Sequence, residues 1–230
     1  MTKEQIADNI RRIKAEFRQG MNGVASAKMR ELGAQYKVNF GIEYPRLQMI
    51  AQSFDKDHDL AQALWKDNIR ECRIIAAMLQ PVETFDRDFA DLWIETIDNV
   101  EIAQYTSMNL FQHLPFASEI AFNWMADERE MYQVCGFCIA TRLIMRHIAF
   151  NGEAQNELIE QALTAMQDKY PSVQTAAFSC LLKFVSSGAD EAAKVKNAFA
   201  SLQLPQNQYG EQCRILIDEA DAVLEKKKMT

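Results

Sequence analysis

Apolar positions recur every three to four residues along almost the whole chain, and period-two alternation is hard to find. The pattern predicts helices over 3–19, 24–35, 44–54, 57–67, 69–80, 84–95, 98–113 and 115–126. Further helices are predicted over 130–149, 152–168, 171–186, 189–202 and 208–226. Between them stand helix breakers and first-turn residues: Gly20, Gly23, Gly41, Pro81, Pro115, Gly152, Pro171, Gly188 and Pro205. The joints are short and none is a long polar linker, so the pattern predicts one domain over 1–230.

The helices fall into two kinds. Segments rich in small apolar residues occur at Cys72–Leu79, Ala103–Leu110, Val134–Leu143, Ala176–Phe184 and Cys213–Val223, each preceded by a more amphipathic segment. Their spacing of roughly 30 to 40 residues is that of two-helix solenoid repeats. One such pair cannot bury its own apolar face, so neighbours must stack. The expected fold is all-α, a right-handed α-α superhelix of HEAT-like antiparallel helix pairs whose hollow inner row is the natural binding surface.

Composition narrows the class. A chain of 230 residues, 48% hydrophobic and 25% charged, can bury a sizeable core. No apolar run approaches the roughly 18 to 20 residues needed to span a bilayer, and the polar start Met1-Thr2-Lys3-Glu4-Gln5 does not read as a secretory signal. The five cysteines (Cys72, Cys135, Cys138, Cys180, Cys213) lie in apolar helical stripes, as expected of buried thiols in a reduced, cytoplasmic chain. Cys135-Gly136-Phe137-Cys138 lacks a second ligand pair, and His58, His113 and His147 are scattered, so no metal site is expected. Without a G-x-G-x-x-G or P-loop, no cofactor is expected either.

Charge is uneven. The formal net charge is -7, yet residues 1–50 hold nine lysines and arginines against five acids, a net of +4 that leaves -11 for the remainder. Such asymmetry suits one positive surface on an acidic protein, or simply solvated helix faces. Trp65, Trp93 and Trp124 lie in apolar helical contexts that suit core packing. Arg70 and Arg73, one turn apart, suit either phosphate contacts or ion pairs with Glu71, Asp67 or acids of a neighbouring repeat.

Phe40-Gly41-Ile42 followed by Pro45, then Leu64-Trp65, then Arg70-Glu71-Cys72-Arg73 with Ala76, resembles the DNA alkylation repair family of HEAT-like repeat proteins, the AlkD-like DNA glycosylases. The resemblance implies binding of duplex DNA, alkylated in the family's reaction, in a basic groove. It also implies release of N3- or N7-alkylated purines, with a carboxylate stabilising the oxocarbenium-like sugar. Lys28, Arg30, Lys37, Arg70 and Arg73 are the expected backbone contacts. Gln104 stands where the family carries its catalytic aspartate, Asn99 or Val100 at the first tryptophan, Ser179 at the second, and Val134 at an assisting arginine. Glu101 and Asp98 precede Gln104 on the same helical face and are the candidate replacements, so Glu101, Asp98 and Gln104 form the candidate catalytic set. Their competing reading is a helix cap, Asp98 capping and Glu101 completing a capping box. An alternative to DNA binding is a catalytically inactive helical-repeat scaffold with a protein partner, which the acidic remainder favours.

Overall fold

The computed structural model describes residues 1–31, 36–200 and 202–229. The end of the helix expected over 24–35 and position 201 of the one expected over 189–202 lie outside the described residues. Every predicted helix is present, and among the described residues the only strand-like pairing is a single parallel bridge between Val38 and Ile69. No helix among them is long and apolar enough to cross a membrane.

The chain divides into two compact units, Met1–Leu114 and Pro115–Thr230. The first contains α1 (Lys3–Gln19), α2 (Gly23–Glu31), α3 (Tyr44–Ala51), α4 (His58–Trp65), α5 (Arg70–Leu79), α6 (Arg87–Ile94) and α7 (Val100–Asn109). Their starts are specified locally. Thr2 and Gln5 form a capping box on α1, and Asp57, Asp86 and Asn99 accept the backbone N–H three residues on at α4, α6 and α7. Nine of the ten α5 residues are buried, because α5 packs on α3, α4 and α7. Trp65 and Trp93 stack in this core with ring centres 3.9 Å apart. Their indole N–H groups donate to Thr96 Oγ1 and Gln62 Oε1, so neither tryptophan presents a free face for a base.

The second unit contains α8 (Ala117–Met125), α9 (Glu130–Met145), α10 (Gly152–Ala165), α11 (Pro171–Val185), α12 (Ala189–Phe199) and α13 (Gln208–Met229). Here α9 packs between α8 and α11, and α11 also touches α10, α12 and α13. A Cβ on Gly136 would stand 2.6 Å from Met125 N and 2.7 Å from Ala121 O, so α8 approaches α9 backbone to backbone only because position 136 is glycine. The Cys135-x-x-Cys138 pair belongs to this packing. Cys135 is fully buried, and the described residues hold no cluster of potential metal ligands.

Helix α9 ends in a Schellman turn: Ile148 N–H donates to Leu143 O, and His147 sits at φ 57°. Glycine is the usual residue at that left-handed position. His147→Gly is therefore expected to raise the unfolding free energy by about 1 kcal/mol. An unchanged or lower urea midpoint would show that the imidazole compensates through contacts of its own.

Candidate nucleic-acid interface

The loop between α2 and α3 is built on Gly41, at φ +67°. A Cβ there would lie 2.2 Å from Asn22 O and 2.7 Å from Ser26 N, both backbone atoms at the start of α2. The close approach lets Asn22 N–H donate to Phe40 O (2.8 Å) and Ser26 Oγ donate to Asn39 O (3.2 Å). On its other side the loop is held by α5. The fully buried Glu71 carboxylate accepts the N–H groups of Phe40 (3.1 Å) and Ile42 (3.4 Å). Arg70 Nη1 donates to Ile42 O (2.9 Å) and to Glu71 Oε1 (3.0 Å). The Phe40-Gly41-Ile42 and Arg70-Glu71 signatures are thus two halves of one joint.

Arg70 continues the network outward. Its Nε and Nη2 donate to the two oxygens of Glu101 at 2.8 and 2.7 Å, a bidentate pair. The Tyr36 hydroxyl donates to Glu101 Oε2 and lies 2.9 Å from Asn99 Oδ1. Burial raises the Glu101 carboxyl, but the Arg70 hydrogen bonds and charge, helped by Tyr36, outweigh it and hold Glu101 below the ordinary carboxylate range. Burial, then the bond to Glu101, pushes the Tyr36 phenol up, so it stays a donor. One guanidinium between two carboxylates leaves the Glu71–Arg70–Glu101 set with a formal charge of -1.

These contacts correct several expectations. Arg70 is 2% exposed and its three nitrogens are engaged, so it cannot reach a phosphate. Arg73 is also buried. Its Nη1 donates to Thr96 O (2.8 Å) and lies 3.7 Å from Asp98, with its guanidinium over Trp65. Both arginines make ion pairs, Arg70 with Glu71 and with Glu101 on α7, and Arg73 with Asp98 just before α7. Asp98 does not cap α7. Asn99 does, accepting Ile102 N–H at 3.0 Å while its amide donates to Asp98. Glu101 accordingly turns to Arg70 instead of completing a capping box. Gln104 is exposed on α7.

Sequence reasoning missed Tyr36, and missed the parallel stack of Tyr44 on Tyr105, with ring centres 4.7 Å apart and the Tyr44 hydroxyl on Asn109 Oδ1 (2.7 Å). The one available signal was Tyr105 standing four residues after Glu101, hence on the same face of α7.

The other expected cations fare differently. Lys28 and Arg30 are exposed on α2 and Lys37 is exposed in the following turn, and none makes an ion pair among the described residues. Helix α2 buries only Ser26. It is attached through the Gly41 joint and leaves most of its surface open.

Comparison with known proteins agrees with this architecture. A solved structure of a protein from a family related to the HEAT-like repeat DNA glycosylases, with affinity for branched DNA structures, superposes with a TM-score of 0.73 at 13% identity. The match covers 93% of this chain and 95% of that one. A second structure, Cex1p, covers 97% of this chain but 45% of its own, at 14% identity and a TM-score of 0.49. No curated protein sequence matches. The model of the DNA alkylation repair enzyme family matches residues 13–194. With its HEAT-like helix pairs and that match over most of its length, the chain belongs to the DNA alkylation repair enzyme family.

Proposed function

We propose that this protein binds DNA through sugar–phosphate contacts made by Lys28, Arg30 and Lys37, and that Glu101, Asp98 and Gln104 do not excise alkylated bases. The observation that carries the reading is the division of labour among the basic residues: Arg70 and Arg73 are consumed by structure, whereas the three cations on and beside α2 are exposed and unpaired among the described residues. Excision of an alkylpurine needs uncompensated negative charge beside the forming sugar cation. Glu101 spends its charge on Arg70, Asp98 leans on Arg73, and Gln104 has no charge to give. The fold neighbour's affinity for branched DNA makes branched as well as linear DNA a proper ligand to test.

The test is a salt titration of binding. Each phosphate contact contributes about 0.9 to the slope of log affinity on log salt, so a Lys28→Gln/Arg30→Gln/Lys37→Gln variant should lose about 2 to 3 from that slope. Wild-type affinity at low salt no better than the triple variant's would sink the reading. A scaffold for a protein partner would then be favoured by the acidic balance after residue 50. Run beside it, base release from methylated duplex with protein in excess should stay at background. Release abolished by Glu101→Gln would instead make Glu101 catalytic.

A further inference from the structure

A second feature stands at the start of α2 and just before it. Val24 is 81% exposed and Met21 is 61% exposed, the two most open of the large apolar side chains described. Among the described residues α2 is held by the backbone joint at Gly41 and by Ser26, on the side opposite Val24. Val24 and Lys28 are four residues apart, so they share the outward face of the helix one turn from each other. Gly23 and Ala27 carry almost no side chain to hold a polymer off that face. Lys28, exposed on that same face, is the cation that stands beside these apolar groups.

We infer that Met21 and Val24 form an apolar wedge that packs on base faces exposed where a duplex is opened at a base step, while Lys28, one turn on along the same face, holds a flanking phosphate. The chemistry selects this ligand. An apolar side chain gains nothing against a phosphate backbone, but it is stabilised against an unstacked base face, and inserted aliphatic side chains are a common way for proteins to grip kinked DNA. Lys28 beside the wedge, with the other exposed cations of the DNA-binding reading, supplies the sequence-independent part of the affinity. The inference rests on the DNA-binding reading above and adds a preference for distorted over continuous duplex.

The test compares a continuous duplex with the same duplex carrying a bulge, each titrated with wild-type protein and with Met21→Ser/Val24→Ser. Both residues are exposed, so the substitutions should leave the thermal melt unchanged, and Met21→Leu/Val24→Ile preserves the apolar surface. The serine variant should lose about tenfold in affinity for the bulged duplex and less than about twofold for the continuous one, with the leucine/isoleucine variant behaving as wild type. No loss, or an equal loss on both duplexes, overturns the wedge and leaves DNA binding standing. Failure of the wild type to bind either duplex overturns both.

Discussion

Gly41→Ala should lower the unfolding free energy by about 3 kcal/mol or more. Two costs combine. The left-handed φ of +67° disfavours any residue with a Cβ by about 1 to 2 kcal/mol. The added carbon would also lie 2.2 Å from Asn22 O and 2.7 Å from Ser26 N. Those are backbone atoms, so no rotamer change relieves the overlap, and either the loop or the start of α2 must move. Movement breaks the Asn22–Phe40 and Ser26–Asn39 hydrogen bonds that attach α2. Gly23→Ala is the internal control: nothing lies within 4 Å of its Cβ position, and the residue is the first of α2. That variant should be neutral or more stable by a few tenths of a kcal/mol. Urea unfolding of the pair would refute the account if both variants melted alike.

The same residue shows where sequence and structure part company. Gly41 was legible as a breaker, and the helices, their breaks and the alternation of amphipathic with small-residue segments followed from periodicity, because each helix buries one apolar stripe. The tryptophans and four of the five cysteines fell into the core for the same reason, Cys138 being half-buried. The role of Arg70-Glu71 was not legible. Two charged residues opening a helix look identical whether they face solvent or bury themselves against a loop 30 residues earlier. What decides it is the set of loop amides at Phe40 and Ile42 awaiting an acceptor, and that geometry exists only after α2 and α3 are in place. Asp98 and Asn99 compete for the cap of α7 on nearly equal propensity, and the neighbour settles the contest: Arg73 draws Asp98 outward. Lys28 and Arg30 stay exposed because α2 buries only Ser26, so its polar pattern survives unchanged.

Glu71→Ala should be comparably severe, at about 3 to 5 kcal/mol, because it leaves a void at a fully buried site and takes from Arg70 one of its two carboxylates, Glu101 alone remaining to neutralise the guanidinium. It also orphans the amides of Phe40 and Ile42, each an unsatisfied buried donor. Glu71→Gln keeps one carbonyl acceptor and should cost less than the alanine. Arg70→Met places an apolar chain of similar length at a site 2% exposed, yet strands Glu71 and frees Glu101. Acid unfolding reports on Glu101. Glu101 has its folded value depressed below the ordinary 4.5, so it binds fewer protons folded than unfolded and contributes stability above that pH. That contribution must fade as pH drops from near 4.5 through the folded value, and Arg70→Met, which removes the guanidinium responsible, must flatten this part of the profile. A variant that stays as acid-sensitive as the wild type below pH 4.5 would mean that the bidentate Arg70–Glu101 contact does not hold in solution. Glu101 would then be a free carboxylate beside Tyr105, the arrangement under which excision by this chain regains a physical basis.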